Sequence, residues 1–143
     1  MTGLPERYRD AVQFAFGDTP ALKDELLALV LSGKKTATCG ALRDVTEAGE
    51  PMPEVGRRDV VLDGAGKPAA VIETTEVSIR RFNEVDEDFA RDEGEGDLSL
   101  AYWREGHEAY FSRNGGFEPE MELICERFRL VETLGEYRHG ADS

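Results

Sequence analysis

Residues 32–38 read Ser-Gly-Lys-Lys-Thr-Ala-Thr, and they connect a predicted amphipathic helix to the first predicted β-strand. This turn combines two lysines with two threonine hydroxyls in a chain whose formal net charge is -13. A helix end explains Gly33, which can adopt the left-handed conformation, and one lysine that complements the helix dipole. It does not explain the hydroxyls of Thr36 and Thr38. The turn is therefore a candidate functional site as well as a helix end.

Hydrophobic periodicity on both sides of this turn predicts the order of the elements. Apolar residues recur every three or four positions over residues 21–32, which predicts a helix begun by Asp18 or Thr19. A strand is predicted to start near Thr36, and a loop rich in Gly and Pro covers 46–56. Three more strands are predicted from runs of β-branched residues, at 59–62, 69–82 and 121–131.

The second half of the chain predicts two helices before the last strand. Asp86 caps a short helix that Gly94 ends, and Asp97 caps a longer one that ends at Gly115-Gly116. One face of the longer helix carries residues at spacings of three and four: Leu100, Trp103, His107, Tyr110 and Phe111. This order differs from the alternation of a doubly wound parallel sheet. It predicts an α+β domain built on a small, mostly antiparallel β-barrel or curved sheet with flanking helices.

Length, charge and cysteine count exclude several classes of protein. A chain of 143 residues is typical of one domain. A net charge of -13 and a pI near 4.6 argue against broad binding to a phosphate backbone, and so against duplex DNA. Cys39 and Cys125 are far apart, no apolar run reaches the length of a membrane span, and residues 1–7 show no signal peptide. These features predict a cytoplasmic protein with no membrane partner.

Two familiar kinds of site fit the sequence poorly. A nucleotide-binding P-loop needs a glycine where the chain has Ala28 and a hydroxyl where it has Lys35. The histidines are His107 and His139, and no metal-ligand spacing recurs. We therefore predict no dedicated metal site and no cofactor, although the many carboxylates could hold Mg²⁺ or Mn²⁺ loosely. We interpret His107, on the aromatic helix face, as a partly buried histidine in preference to a catalytic one.

The remaining chemistry combines lysine, threonine and glutamate. A threonine hydroxyl becomes a nucleophile only when a neighbouring base takes its proton. Lysine can be that base if burial or a second positive charge, such as Lys34 or Arg43, lowers its pKa. A glutamate beside the lysine has the opposite effect on that pKa. Glu93, in the acidic and glycine-rich segment 92–97, is therefore interpreted as a positioning group or a proton shuttle.

At these positions the chain resembles the ASCH domain family, whose members have a PUA-like β-barrel fold. The turn at 33–38 matches the family's Gly-x-Lys-x-x-Thr signature. The other matching segments are Phe16-Gly17-Asp18, 71–77, 89–97, Trp103-Arg104-Glu105-Gly106-His107 and Cys125-Glu126-Arg127-Phe128. The resemblance implies a PUA-like α+β barrel at residues 14–132, with an arm at 1–13 before it and a polar tail at 133–143 after it.

The resemblance also implies a role in RNA metabolism and a set of site residues. One branch of the family looks like a small bacterial amidohydrolase that removes the acetyl group from acetylcytidine, and its triad falls on Lys35, Thr38 and Glu93. Its members carry an arginine where this chain has Gly40, so Arg43 is the candidate replacement. Another branch is linked to ribonuclease activity that depends on the signature lysine. Seven residues are predicted to bind the substrate: Gly33, Lys34, Thr36, Arg43, Tyr102, Trp103 and His107.

Three functions stay open for this sequence. The first is a hydrolase of a modified nucleoside such as N4-acetylcytidine, or of a related amide, in which Lys35 moves the proton or stabilises the oxyanion. The second is a ribonuclease for short single-stranded RNA, with Lys34, Lys35 and Arg43 on the phosphate. Tyr102 or Trp103 would then stack on a base. The third is a module that binds RNA or a nucleotide without chemistry.

Overall fold

A five-stranded β-sheet with four α-helices forms the structure, a computed structural model that describes residues 4–135. The strands are β1 (Gln13–Phe14), β2 (Ala37–Ala41), β3 (Arg58–Leu62), β4 (Pro68–Arg81) and β5 (Glu122–Thr133). The helices are α1 (Pro20–Leu31), α2 (Leu42–Ala48), α3 (Glu87–Glu93) and α4 (Leu100–Arg113), with 3-10 helices at Glu6–Tyr8 and Phe82–Glu84. No helix among the residues described is long and apolar enough to span a membrane.

The sheet order confirms the α+β class but not the predicted barrel. The strands are arranged β1-β3-β4-β5-β2. The β3–β4, β4–β5 and β5–β2 pairs are antiparallel, whereas the short β1 runs parallel to β3. The sheet is therefore mixed, and it stays open because β1 and β2 form its two edges without pairing to each other. Residues near both edges line a common cleft instead.

Helix α1 and the turn after it follow the prediction closely. The helix begins after Thr19, whose hydroxyl accepts a hydrogen bond from the Leu22 N–H at 3.1 Å. At the other end Gly33 has a φ of +82°, the left-handed conformation expected of a glycine that ends a helix. The backbone N–H of Lys35 still donates to the carbonyl of Leu29 at 3.0 Å. This tight turn delivers the Lys35 side chain to the start of β2.

Two hydrophobic clusters support the region around Lys35. One joins β2 and β5 to α3 and α4, and it includes Phe89, Trp103 and Phe111. The other joins α1 to β3, β4 and β5, and it includes Phe16. Burial of these large side chains supplies the apolar stabilisation that holds the helices on the sheet. The Lys35 ammonium lies 5.4 Å from the centroid of the Phe16 ring, so the second cluster reaches the site.

Residues before and after the predicted domain, 14–132, also pack into the fold. Tyr8 from the predicted arm and Leu134 from the predicted tail are buried together against Val60 of β3. The Leu134 N–H donates a backbone hydrogen bond at 2.8 Å, which continues the sheet contacts of β5. The rest of the predicted tail, 136–143, lies outside the described residues.

Candidate functional site

A buried ion pair joins the turn before β2 to the end of α3. The Lys35 ammonium nitrogen lies 2.9 Å from Oε1 of Glu93, and only 1% of each side chain is exposed. The backbone holds the same two segments together, because the Thr36 N–H donates to the Asp92 carbonyl oxygen at 2.7 Å. The structure thus brings together two of the three residues that the resemblance assigns to a triad.

Helix α4 fixes the other oxygen of the Glu93 carboxylate. The Trp103 indole N–H donates to Oε2 of Glu93 at 2.9 Å, and Nε2 of His107 lies 3.5 Å from the same oxygen. Trp103 and His107 are one helical turn apart, so their rings stack with centroids 4.3 Å apart. Glu93 is therefore surrounded by hydrogen-bond donors and held in one position.

The environment of the pair keeps both groups charged. Burial favours a raised pKa for the Glu93 carboxyl, but the nearby Lys35 ammonium and His107 more than offset it, so that pKa is well below its usual range. Burial likewise favours a lowered pKa for Lys35, but Glu93 and Glu95 more than offset it and the net shift is upward. Lys35 is therefore a fixed positive charge. This arrangement favours oxyanion stabilisation over the role of a base.

Gly94 permits the close approach of the two segments. It ends α3 with a φ of +75°, and a Cβ built at this position would overlap the carbonyl oxygen of Lys34. Both facts favour glycine here, because other residues are strained at this φ and because the overlapping atoms belong to the backbone, not to the end of a flexible side chain. The glycine therefore sets the distance at which the ion pair forms.

We expect Gly94→Ala to lower the free energy of unfolding by about 2–3 kcal/mol, because backbone strain and the overlap with Lys34 add together. Gly49→Ala is the matched control: Gly49 ends α2 with a φ of +69°, but no atom lies within 4 Å of a Cβ there. Urea unfolding of both variants measures the difference. An equal loss in the two would show that the approach to Lys34 has no energetic effect.

The pair lies at a cleft of about 500 Å³. Five of the predicted site residues line it: Lys35, Thr38, Glu93, Tyr102 and His107. Thr38 lies on β2 opposite Glu126 of β5, and its hydroxyl has no hydrogen bond to any described residue. The hydroxyl is therefore available to a ligand in the cleft.

The other predicted site residues lie outside the cleft: Gly33, Lys34, Thr36, Arg43 and Trp103. Lys34 is exposed beyond the end of α1. The Arg43 guanidinium donates a hydrogen bond to the Gly116 carbonyl oxygen at 2.5 Å, and Arg43 does not line the cleft. Gly40, at the position of the family arginine, does line it, so Arg43 does not replace that arginine in the cleft. Trp103 is only 2% exposed, packs in the hydrophobic core and donates its indole N–H to the Glu93 carboxylate.

The cleft also contains groups that the sequence did not single out. Oε2 of Glu95 lies 3.0 Å from the Lys35 ammonium nitrogen. The sequence feature that could have indicated Glu95 is its position two residues after Glu93 in the same glycine-rich segment. Arg57 and Asp59 form a second ion pair at 2.8 Å in the cleft wall, and their i, i+2 spacing fits one face of a strand. In all, five carboxyl side chains and three lysine or arginine side chains line the cleft. Acidic groups outnumber basic ones, so the cleft is poorly suited to bind a polyanion such as a nucleic-acid backbone.

Cys39, Glu93 and His107 place their possible metal-ligand atoms within 4.8 Å of one another. A thiolate, a carboxylate and an imidazole together suit a soft ion such as Zn²⁺. Here the Glu93 oxygens already accept hydrogen bonds from Lys35 and Trp103. Burial, with a further contribution from Glu93, also raises the pKa of the Cys39 thiol well above its usual value. As it stands, the group is a hydrogen-bonded cluster in which the thiol keeps its proton.

His107 gives the stability of the protein a pH dependence. Its Nδ1 is 2.9 Å from the Trp103 carbonyl oxygen, which can only accept, so Nδ1 carries a proton and Nε2 faces Glu93. Burial favours a lowered pKa for His107, but the Glu93 and Glu95 carboxylates outweigh this and raise the pKa above its usual value. The buried Lys35 ammonium on the same carboxylate opposes the imidazolium without reversing the shift.

We expect the free energy of unfolding to decrease as pH rises through the raised pKa of His107. Below about pH 6.5 the folded and unfolded chains both bind the proton and the stabilisation is complete. Above that pH the unfolded chain releases the proton first, so the stabilisation is lost as the folded state approaches its own, higher pKa. Urea unfolding between pH 6 and pH 9 measures the slope, and His107→Gln should flatten it. An identical slope in that variant would assign the pH dependence to other groups.

Comparison with known proteins identifies a family model and solved structures that are similar to this chain. A sequence model of the ASCH domain matches residues 12–132, a range that includes every residue of the site. The chain is similar to the crystal structure of an ASCH domain from Lactobacillus crispatus JV V101, with 35% identity over 89% of this chain and 86% of that chain, and a TM-score of 0.78. A protein from Enterococcus faecalis V583 shows 36% identity over 92% of this chain and 81% of that chain, with a TM-score of 0.80.

A more distant structure, ASCH from Zymomonas mobilis, shares the fold at 13% identity over 90% of this chain and 73% of that chain, with a TM-score of 0.52. No curated protein matches the chain. The similarity to the two closer structures extends over most of their length as well as most of this chain. The strands and helices that hold the ion pair are therefore part of a shared architecture.

Proposed function

The chain belongs to the ASCH domain family, and from that premise we propose that it is a hydrolase that removes an acyl group from a modified nucleoside such as N4-acetylcytidine, or from a related amide. The observation that carries this proposal is the ion pair of Lys35 and Glu93, buried beside the cleft that Thr38 also lines. Burying two charges costs several kcal/mol per ion and is weak support for stability. A pair of this kind at a cleft is better explained by chemistry at the cleft.

Each member of the triad has a role that fits its contacts. Lys35, as a fixed ammonium, stabilises the oxyanion that forms on the acyl group. Glu93 holds Lys35 in place and keeps it charged, because Glu93 is itself a buried anion fixed by Trp103. Thr38, whose hydroxyl has no hydrogen bond to a described residue, is the nucleophile. Glu95, which is partly exposed in the cleft, is the carboxylate that can take its proton.

The proposed reaction is an acyl transfer to threonine followed by hydrolysis. Thr38 Oγ1 adds to the acyl carbon and its proton passes to Glu95. The bond between the acyl carbon and the amino nitrogen then breaks, and the nitrogen takes that proton as cytidine leaves. Water cleaves the acyl–threonine ester and releases acetate. No metal or cofactor takes part in these steps.

The size and charge of the cleft support a nucleoside in preference to an RNA strand. A volume of about 500 Å³ is in the range of small-molecule sites. Tyr102 lines the cleft and is 47% exposed, so its ring is available to a base. Lys34 and Arg43, the two cations expected to hold phosphate beside Lys35, both lie outside the cleft. The ribonuclease and the binding module are thus alternative outcomes, and the cytoplasmic location stays a prediction.

The decisive experiment incubates the purified protein with N4-acetylcytidine and follows cytidine release by chromatography, with EDTA in a parallel sample. We expect release by the wild type with and without EDTA, and about 1% of that rate or less from Thr38→Val, which keeps the shape but lacks the hydroxyl. Circular dichroism checks that this variant is folded. Cleavage of short labelled RNA without cytidine release would support the ribonuclease, and binding without product would support the binding module.

A further inference from the structure

Lys35 has more hydrogen-bond acceptors around it than it has N–H groups. Four oxygens lie within 3.3 Å of its ammonium nitrogen, which can donate three hydrogen bonds. Two are backbone carbonyl oxygens, those of Ala37 at 2.9 Å and Glu93 at 3.3 Å. The other two are carboxylate oxygens, Oε1 of Glu93 at 2.9 Å and Oε2 of Glu95 at 3.0 Å. The lysine is therefore fully occupied by the protein itself.

Glu95 is the only one of these four acceptors that is free to leave. The Ala37 carbonyl belongs to the backbone of β2 and the Glu93 carbonyl to the backbone of α3, so neither can move away alone. The Glu93 carboxylate is buried and held by the Trp103 indole N–H. The Glu95 side chain is 24% exposed, against 1% for Glu93, and it lines the cleft. An incoming ligand that needs the Lys35 ammonium must therefore take the place of the Glu95 carboxylate.

We propose that the position held by Glu95 on Lys35 is the binding subsite for the acyl oxygen of the substrate and for the carboxylate of the acid product. This inference rests on the proposed hydrolase function, and it adds that the carboxylate of Glu95 occupies the subsite when no ligand is bound. Binding of the acyl group releases Glu95 from Lys35. The released carboxylate stays in the cleft with Thr38, where it can accept the proton of the attacking hydroxyl.

The charges around Lys35 restrict the ligand to one class. Beside Glu93 the ammonium already holds one further carboxylate oxygen, that of Glu95, so the subsite accepts a ligand with a single negative charge or an uncharged carbonyl oxygen. A phosphate monoester would bring up to two charges next to the buried Glu93 carboxylate, which repels them. The class is therefore a small carboxylate or an amide carbonyl group, and acetate is the simplest probe of it.

Removal of Glu95 should turn this subsite into an open acetate site. We expect Glu95→Ala to bind acetate at least tenfold more tightly than the wild type in calorimetric titrations at constant ionic strength. Glu105→Ala is the matched control, because it removes an exposed carboxylate from α4 and changes the net charge equally. Equal acetate affinity in the wild type and both variants would overturn the subsite.

A second variant keeps the test valid if Glu95→Ala does not fold. Glu95→Gln retains the size of the side chain, but its uncharged amide competes less strongly than a carboxylate for the Lys35 ammonium. The acetate affinity of Glu95→Gln should therefore also exceed that of the wild type and of Glu105→Ala. These titrations need no turnover. Acetate binding by the Glu95 variants without cytidine release by the wild type would refute the hydrolase alone, and release without acetate binding would refute the subsite alone.

Discussion

Replacing Lys35 by alanine is expected to lower the free energy of unfolding by about 3–5 kcal/mol, because it leaves the buried Glu93 carboxylate without the ammonium that neutralises it. The Glu93 side chain is 1% exposed, so in the wild type its charge is balanced by the ammonium and by its hydrogen-bond donors, not by bulk water. A loss of this size is a large part of the total stability of a small domain. Urea unfolding followed by circular dichroism measures it directly. An Lys35→Ala protein as stable as the wild type would show that the pair is not buried as described.

The double variant Lys35→Met/Glu93→Gln separates the loss of stability from the loss of function. It removes both charges and keeps side chains of similar size, and the amide oxygen introduced at position 93 can still accept from the Trp103 indole. We expect it to be more stable than Lys35→Ala, since a buried ion pair replaced as a unit costs little. It should release no cytidine from N4-acetylcytidine, because the oxyanion loses its ammonium. Release at the wild-type rate would remove Lys35 from the mechanism.

The burial of Lys35 could not be predicted from the chain around it. From the sequence alone a lysine at a helix end is expected in solvent, so Lys35→Ala would leave the fold intact. Neighbouring Lys34 does behave in this way. What buries Lys35 is the end of α3, 58 residues later in the chain. Local pattern cannot identify such a contact, and it cannot decide which of two adjacent lysines faces inward.

The elements with strong local signals were predictable, and the others were not. Helix α1 has a threonine cap, an apolar face and a glycine after it, and the structure begins and ends it within two residues of the prediction. Helix α2 was not predicted, because it has only seven residues, and Ala41 at its start provides no capping side chain. The open edge of the sheet also had no local signal, since it depends on which distant strands pair.

The site shows the same division. Glu93 was a candidate because its acidic segment contains two glycines and because the resemblance assigned it to the triad, and Gly94 proves to be the residue that lets α3 approach Lys34. Glu95 carries the same signal, but nothing in the sequence says which carboxylate of an acidic segment faces a lysine. The resemblance supplied the identity of the triad, and the structure supplies the fourth group on Lys35.

Trp103→Ala is expected to lower the free energy of unfolding by about 3–5 kcal/mol, as truncation of a buried tryptophan does. The side chain is 2% exposed, stacks on His107 and packs 5.1 Å from Phe82 between ring centroids. Its removal also takes from the Glu93 carboxylate the N–H that fixes Oε2. Urea unfolding measures the loss, and Trp103→Phe isolates the hydrogen bond, with an expected loss of about 1–3 kcal/mol.

Tyr102 provides the matched comparison, since it is the next residue on α4 and lines the cleft, whereas Trp103 does not. Tyr102→Ala should unfold at nearly the wild-type urea concentration but raise the KM for N4-acetylcytidine, because its half-exposed ring is the one that can stack on a base. The pattern expected is thus a loss of stability in Trp103→Ala and a loss of substrate affinity in Tyr102→Ala. A stable Trp103→Ala protein with weakened substrate binding would reverse the assignment and place the indole against the base.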